Sequence, residues 1–317
     1  NTLTIIDEKE NTHIVSYDIL LGNDGAGSRV RQSFEKQGVK GMSSELLSHS
    51  YKELTIEANE VGSNRFKIDK HSLHIWPRGE YMLIALPNLD GSFTVTLFMP
   101  NEGNPSFESL TSETAVNEFF THQFKDVMDL IPNIANEFFE NPTGILGTVR
   151  CKQWTYKNAL IFGDAAHAIV PFHGQGMNCG FEDCFELNRL LDKHNDDWEK
   201  VMSVYTDVRV HNANAIADMA LDNYIEMRDS VRDPKFHLKK AIAFELEKKF
   251  PKQFIPRYSM VMFHHIPYAT AQSRGQIQFD MLDQLSEGIE SIEELDMNLA
   301  EKLVHEKLSV ISDYDLS

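Results

Sequence analysis

The sequence predicts an α/β protein in which an antiparallel β-sheet is inserted into a domain with parallel strands, and a helical region follows. Two short strand-like runs, at 17–21 and 159–162, lead into glycine and aspartate, and the second run is wholly apolar, which is typical of a buried parallel strand. Between them, residues 48–100 alternate between apolar and polar side chains, as half-buried antiparallel strands do. Beyond Asp197 the apolar spacing is almost wholly helical.

The first 36 residues predict a β-hairpin, a strand and a helix. Apolar residues at 3–6 and 13–15 flank a polar bend, and the run at 17–21 follows. Asp24 and Gly25 then form a turn with Ser28 as the predicted N-cap of a helix. An aspartate at the end of a strand favours a ligand contact, but an Asp-Gly pair by itself is more often a plain turn.

The stretch from Ala159 to Cys184 carries the strongest functional pattern. Asp164 follows the strand at its carboxyl end, where ligands of open α/β sheets bind, and a carboxylate there can accept hydrogen bonds from sugar hydroxyls. The bend at 174–178 contains two glycines, which allow close approach of the backbone to a flat or phosphorylated ligand. We therefore predict a nucleotide-cofactor seat, with a turn-capping role for Asp164 as the alternative.

A helix follows this bend, and its apolar spacing predicts which side is buried. The predicted inner face consists of Phe181, Cys184, Leu187, Leu190 and Leu191.

The inserted block predicts at least four antiparallel strands and a covering helix. A glycine-bearing loop at 87–91 joins two of the strands into a hairpin, and residues 114–130 have the spacing of one amphipathic helix. One face of this sheet could cover a ligand, or the sheet could be a structural layer only. The predicted strands are 51–56, 72–76, 81–86 and 92–99.

Composition narrows the partners and the compartment. The 317 residues carry a formal net charge of -18 with a sequence pI near 5.1, which disfavours nucleic acid and anionic membrane surfaces as partners. No apolar run approaches the roughly 18 to 20 residues of a membrane span. Three cysteines lack metal-ligand spacing and no signal peptide opens the chain, so we expect a cytoplasmic protein without a metal site.

The C-terminal part predicts long helices. One is expected at 197–228 and another at 235–250, separated near Asp233-Pro234, and the acidic tail at 284–317 predicts one or two amphipathic helices. The segment 223–228, NYIEMR, places an amide, a phenol, a carboxylate and a guanidinium close together, although a solvated polar face would give the same pattern.

These residues together resemble the class A flavin-dependent aromatic hydroxylases. Asp24-Gly25 with Ser28 and Arg31 is similar to the second sequence fingerprint of that family, and residues 163–178 are similar to the flavin-ribityl fingerprint. Five further stretches resemble, in order and spacing, the branch of the family that hydroxylates kynurenine, and the resemblance covers roughly residues 17–268. These stretches are 73–78, 84–88, 96–100, 223–228 and 254–258.

The resemblance implies a glutathione-reductase-type FAD domain that is only partly present. The family's Gly-x-Gly-x-x-Gly turn is absent from this sequence, and so are the arginine and tyrosine that clamp the substrate carboxylate in the family. We therefore expect a C-terminal portion of a longer enzyme. The expected divisions are a partial FAD-binding domain at 1–47 and 144–196, a substrate domain at 48–143, and a helical region with an acidic tail at 197–317.

The resemblance also implies an activity, cofactors and site residues. The implied reaction is FAD- and NADPH-dependent hydroxylation of L-kynurenine to 3-hydroxykynurenine by molecular oxygen, without a membrane anchor. The flavin carries the chemistry, so no side chain is assigned as acid or base. The implied cofactor contacts are Asp24, Gly25, Asp164, Pro171, Gly176, Met177 and Asn178, and the implied substrate contacts are Asn223, Tyr258, Phe172 and His173.

Two alternatives stay open at this stage. Another aromatic hydroxylase of the class, such as one acting on hydroxybenzoates, would share the segments at Asp24 and Asp164 but not the segment 223–228. A non-enzymatic remnant that binds an aromatic ligand or a partner without flavin is the second alternative.

Overall fold

The computed structural model describes residues 1–228 and 233–312, which form two compact units. The first unit contains Asn1–Glu45, Gly147–Asp222 and Leu238–Ser317, and the second contains Leu46–Leu146 and Asn223–His237. The division of the chain into the three expected domains stays a prediction.

Strands dominate the first half of the chain and helices the second. The strands are β1 (Thr2–Ile6), β2 (Thr12–Ser16), β3 (Leu20–Gly22), β4 (Met42–Ile56), β5 (His74–Pro77), β6 (Met82–Pro87), β7 (Phe93–Pro100), β8 (Thr143–Cys151), β9 (Thr155–Tyr156) and β10 (Ala159–Ile161). The helices are α1 (Arg29–Lys36), α2 (Glu113–Gln123), α3 (Lys125–Met128), α4 (Ile134–Glu140), α5 (Asp164–His167), α6 (Gly176–His194), α7 (Trp198–Arg228), α8 (Pro234–Lys249), α9 (Arg257–Phe263), α10 (Tyr268–Leu285) and α11 (Met297–Lys307).

Two neighbouring parallel strands position the site in the first unit. β10 pairs in parallel with β3, with Ala159 opposite Leu20 and Ile161 opposite Gly22, and β9 joins β10 on the other side. The segments after Gly22 and after Ile161 therefore leave the sheet at the same edge, as the sequence predicts. A Cβ at Gly22 would lie 2.9 Å from the Val30 side chain, so glycine there lets α1 pack directly against the strand end.

The first unit has several buried apolar clusters. One surrounds β10 and includes Trp154, Leu160 and Leu190, while two others lie among the C-terminal helices. The predicted helices at 197–228 and 235–250 are confirmed by α7 and α8. The acidic tail forms α11, whose Ala300, Leu303 and Val304 are buried.

The second unit contains β5, β6, β7 and most of β4, which belong to an antiparallel sheet with the strand order β5-β6-β7-β4-β8. The predicted antiparallel block is confirmed by β4, β5, β6 and β7, and β8, which lies outside the predicted block, adds a fifth strand to the sheet. Alternate residues of β7, including Val95 and Leu97, pack with residues of α2 and α4 in one apolar cluster.

The single helix predicted at 114–130 is wrong. The chain leaves helical geometry at Phe124 (φ -137°, ψ 47°) and continues as the short α3. The Phe124 ring is fully buried and lies 5.7 Å from the ring of Phe120 and 5.8 Å from that of Phe119. Packing of these rings therefore outweighs one continued helical turn, which amphipathic spacing cannot reveal.

No helix in the ranges 1–228 and 233–312 is both long enough and apolar enough to cross a membrane.

Candidate functional site

The Gly163-Asp164 turn lies directly after β10. Gly163 adopts φ 58° and ψ -149°, a conformation that is essentially restricted to glycine, and α5 begins at the next residue. The Asp164 side chain is exposed, and within the described residues its carboxylate has no hydrogen-bond partner. The predicted position of this carboxylate, at the carboxyl end of a parallel strand, is confirmed.

The segment after α5 delivers the N-terminus of a long helix to the same unit. Pro171–His173 form a single 3-10 turn, Gly174 is left-handed (φ 67°), and the 19-residue α6 starts at Gly176. The side chain of the N-cap residue Gln175 makes no capping hydrogen bond, no other described side chain is recorded as capping α6, and the side chains of Met177 and Asn178 are exposed. Uncapped N–H groups at a helix N-terminus favour ligand oxygens and negative charge.

Gln175 fixes this bend, and no local sequence pattern indicates its importance. Its side chain is buried, and its Oε1 accepts hydrogen bonds from the Tyr268 hydroxyl (3.0 Å) and from Asn178 Nδ2 (3.1 Å). Tyr268 lies 93 residues further along the chain, at the start of α10. Only the tertiary fold brings the two together.

His173 and Tyr258 stack against each other. Their ring centroids are 5.3 Å apart with planes inclined by 19°, and His173 is buried whereas Tyr258 is half exposed. Among the described residues, Nδ1 of His173 has no hydrogen-bond partner. Burial, with a smaller effect of the Arg257 charge, lowers the pKa of His173, so the imidazole is neutral at neutral pH.

Asp24 binds the start of α1. Its carboxylate accepts hydrogen bonds from the Ser28 hydroxyl (2.6 Å) and from the Arg29 N–H (2.6 Å), and Ser28 is the N-cap, as predicted. Partial burial works to raise the pKa of Asp24, but these hydrogen bonds outweigh it and lower the pKa. The geometry of the Asp24-Gly25 segment is thus that of a helix-initiating turn, with Gly25 at φ 78°.

Arg31 joins the two carboxylate-bearing segments. Its guanidinium is buried and donates to the carbonyl of Ala26 (2.5 Å) and to the carbonyl of Ala165 (2.7 Å). The turn after β3 and the turn after β10 are therefore held side by side.

The predicted site residues divide between the two units. Asp24, Gly25, Asp164, Pro171, Phe172, His173, Gly176, Met177, Asn178 and Tyr258 all belong to the first unit. Asn223 belongs to the second unit, where its Nδ2 donates to Met227 Sδ at 3.5 Å. The placement of Asn223 beside Tyr258 stays a prediction.

The buried face of α6 differs from the predicted one. Phe181 (64% exposed) and Cys184 point outward, and the buried residues are Cys179, Asp183, Leu187 and Leu190. The apolar pattern missed this face because an aspartate occupies its centre. Such a residue can be buried only when hydrogen bonds and opposite charges compensate it.

Asp183 has that compensation in full. Its carboxylate is fully buried and accepts from the Gly163 N–H (2.8 Å), from His167 Nε2 (2.5 Å) and from Arg209 Nε (2.8 Å). Arg209 also donates to Glu182 at 2.9 Å. Burial works to raise the pKa of Asp183, but the His167 hydrogen bond and the two cationic neighbours keep the pKa low.

His167 lies between Asp183 and Cys179, with Trp154 stacked on its ring at 4.9 Å. His167, Cys179 and Asp183 each offer one atom that could bind a metal ion, and these three atoms lie within 4.8 Å of one another. Asp183 contacts one ring nitrogen and Cys179 Sγ the other at 3.8 Å, and the Arg209 cation fills the side next to the carboxylate. The arrangement is that of a hydrogen-bonded ionic network.

Comparison with known proteins identifies the family of this chain. The family profile described as FAD binding domain matches residues 2–220. The chain belongs to this FAD-binding family. The match includes both carboxylate-bearing turns and the whole of α6.

Curated relatives of this chain include kynurenine 3-monooxygenases. The enzyme of Stenotrophomonas maltophilia is 44% identical over 97% of the chain and 67% of its own length. The enzyme of Flavobacterium johnsoniae is 49% identical over 85% of the chain and 60% of its own length. The enzyme of Myxococcus xanthus is 46% identical over 92% of the chain and 62% of its own length. The chain thus spans roughly three fifths to two thirds of the length of these relatives.

Solved structures show the same fold at low sequence identity. The tetrameric form of 2-methyl-3-hydroxypyridine-5-carboxylic acid oxygenase has a TM-score of 0.57 at 18% identity, over 72% of this chain and 59% of that one. Klebsiella pneumoniae HpxO complexed with FAD and uric acid has a TM-score of 0.55 at 15% identity, over 78% of this chain and 59% of the HpxO chain. The fold is therefore that of the FAD-binding oxygenases.

The residues of the first unit fit the ligand of the FAD-binding family. Asp164 offers an exposed carboxylate with no partner among the described residues, which suits the hydroxyl groups of a ribityl chain. The uncapped start of α6 offers N–H donors for the polar edge of a flavin ring or for phosphate oxygens.

Proposed function

We propose that this chain acts in the hydroxylation of L-kynurenine to 3-hydroxykynurenine, with FAD as the bound cofactor, NADPH as the reductant and molecular oxygen as co-substrate. The similarity to kynurenine 3-monooxygenases supports this function, since identity is 43–49% over 85–97% of the chain.

The observation that carries the proposal is the Asp164 carboxylate beside the start of α6 in a chain of the FAD-binding family. Asp164 would accept hydrogen bonds from the ribityl hydroxyls, and the backbone of Met177 and Asn178 would contact the flavin ring. Gly176, the first residue of α6, lets the backbone approach closely. Pro171 would form the adjoining wall, and Asp24 with Gly25 would support the neighbouring turn.

On the substrate side we assign Phe172, His173, Tyr258 and Asn223. Nδ1 of the neutral His173 imidazole has no hydrogen-bond partner among the described residues. It would form one hydrogen bond with a polar substituent of the substrate. The Tyr258 ring holds that imidazole by stacking, and the hydroxyl of this half-exposed residue would be a second polar contact. Asn223 would add an amide, and Phe172 an apolar wall.

FAD, once bound and reduced by NADPH, supplies the activation of dioxygen and the oxygen atom that enters the aromatic ring. The residues of this chain contribute binding, orientation and exclusion of water around that chemistry. We also propose a cytoplasmic location, which the three free cysteines favour.

Flavin binding by the purified chain tests the first part of the proposal. Titration with FAD, followed by quenching of flavin fluorescence, should give saturable binding in the wild-type chain. Asp164→Asn should weaken it at least about tenfold, because a charged acceptor is lost. Asp192→Asn is the matched control, since Asp192 is exposed on α6 and its carboxylate accepts a hydrogen bond only from Asn188 among the described side chains. Equal affinities in both variants would contradict the role of Asp164.

Turnover tests the substrate. NADPH oxidation should accelerate when L-kynurenine is added, with a product heavier by one oxygen atom. Acceleration by a hydroxybenzoate instead would favour another aromatic hydroxylase. A chain that binds aromatic ligands but no FAD would favour the non-enzymatic alternative.

A further inference from the structure

The backbone just before Asp164 is held by a closed set of hydrogen bonds. The Gly163 N–H donates to Asp183 Oδ2 at 2.8 Å, and the Gly163 carbonyl accepts from the N–H of His167 at 3.0 Å. The His167 side chain then returns to the same Asp183 oxygen at 2.5 Å. Both peptide groups flanking Gly163 are therefore fixed, and the direction in which Asp164 leaves the sheet edge is fixed with them.

The strength of this hold comes from charge buried away from water. Asp183 and Arg209 have exposed fractions of 0% and 1%, and the guanidinium joins the carboxylate to α7 through Nε at 2.8 Å. Nη2 of Arg209 donates hydrogen bonds to the Glu182 carboxylate and to the Cys179 carbonyl. Charge-assisted hydrogen bonds at such sites are short and directional, so they define geometry as well as adding energy.

We infer that Asp183 and Arg209 are positioning residues of the FAD site: the buried Asp183 carboxylate, oriented by Arg209, holds the Gly163 peptide and thereby presents the Asp164 carboxylate to the cofactor. Neither residue contacts the ligand in this arrangement. The inference rests on the proposed FAD site at Asp164 and adds two residues 19 and 45 positions away in sequence, which the apolar pattern of α6 and α7 conceals.

A purely structural role for the network is the competing explanation. The two explanations predict different changes in stability and in the backbone at Gly163. If the network only stabilises the fold, any lesion in it lowers stability to a comparable extent and leaves the Asp164 turn as it is. If it positions the turn, loss of the Asp183 charge alters the Gly163 backbone itself. Preorganised supporting groups of this kind usually affect ligand affinity through geometry.

Asp183→Asn tests the inference, because an amide has one acceptor oxygen and cannot serve Gly163, His167 and Arg209 together. Tyr205→Phe is the matched control: it removes the bond from the Tyr205 hydroxyl to the Asp183 carbonyl (2.9 Å) in the same buried cluster but leaves the carboxylate untouched. Two quantities are measured in the purified chain. These are amide hydrogen exchange at 163–167 without ligand, and the dissociation constant for FAD.

We expect Asp183→Asn to accelerate exchange at 163–167 and to weaken FAD binding at least about tenfold. Tyr205→Phe should change neither, whatever it does to the melting temperature. Should Asp183→Asn fail to fold, Arg209→Lys keeps the positive charge, loses the forked geometry and should move both quantities in the same direction by a smaller amount.

Unchanged exchange in Asp183→Asn, or faster exchange with unchanged FAD affinity, would overturn the positioning role and leave the proposed function standing. A wild-type chain that binds no FAD, with Gly163 protected as expected, would instead contradict the proposed function and the positioning role built on it.

Discussion

At the scale of single residues, the site depends on glycine where the chain must turn and on charge where it must be held. Gly163 lies at φ 58° and ψ -149°, with its peptide N–H bonded to Asp183. No residue with a Cβ adopts that conformation without strain. In the Gly-Asp pair that marks the site in the sequence, Gly163 therefore provides the backbone conformation and Asp164 provides the carboxylate.

Gly163→Ala should lower the free energy of unfolding by about 1–3 kcal/mol, because alanine is strained at this backbone conformation. Its Cβ would also lie 3.1 Å from Asn23 Oδ1. Urea denaturation measures the effect. Gly180→Ala is the control, since its Cβ would meet Gly163 Cα at an ordinary 3.9 Å within a helix, where alanine gains up to about 1 kcal/mol. Equal stability of the two variants would show that Gly163 can relax.

At the scale of elements, local sequence placed most helices and strands, and packing adjusted their ends. Asp296 illustrates a local signal: its carboxylate accepts from the N–H groups of Asn298 (2.9 Å) and Leu299 (3.1 Å) and starts α11 in the acidic tail. Phe124 illustrates the opposite case, where buried rings interrupt a helix that the spacing favours.

Asp296→Ala should cost about 1 kcal/mol in the free energy of unfolding, because two N–H groups of the first turn lose their acceptor. Asp296→Asn should stay close to the wild type, since asparagine is an equally good N-cap. Chemical denaturation compares the three chains. If alanine and asparagine behaved alike, the cap would not be what holds α11.

At the scale of the whole molecule, the chain has a formal net charge of -18 and an internal network in which two carboxylates contact the side chains of an arginine and a histidine. Asp183 and Glu182 face Arg209 and His167, with Cys179 and Tyr205 as the other titratable neighbours. Burial works to lower the pKa of His167, but the hydrogen bond to Asp183 and the Asp183 charge outweigh burial and raise it to about 10.

The His167 shift predicts how stability depends on pH. A histidine with a raised pKa contributes stability that is complete below its ordinary value of 6.5 and is lost as pH rises toward about 10. The free energy of unfolding should therefore fall across that window. In His167→Gln the slope should be shallower by up to about 1.4 kcal/mol per pH unit. Denaturation at pH 6, 8 and 9.5 measures both slopes, and parallel curves would contradict a protonated His167.

Asp183 gives the opposite sign at low pH. Its lowered pKa contributes stability above the ordinary aspartate value of 3.8, and that contribution disappears as pH falls further.

The sequence alone determined the α/β class, the parallel strands that end at the Asp24 and Asp164 turns, the antiparallel insert and the family. The class, the strands and the insert follow from patterns of neighbouring residues, namely alternation, helical spacing and glycine beside aspartate. The family follows from the resemblance of several stretches in order and spacing. The FAD-binding profile and the parallel register of β3 and β10 confirm them.

The tertiary structure determined the features that local sequence patterns do not contain. It placed Asp183 inside α6, broke the helix at Phe124, and brought Tyr268 to Gln175 and Tyr258 to His173. The physical reason is that the burial of a charge or a polar group is stable only when its partners come from distant parts of the chain. Arg209 and Gly163 supply those partners for Asp183, and only the folded chain brings them within hydrogen-bonding distance.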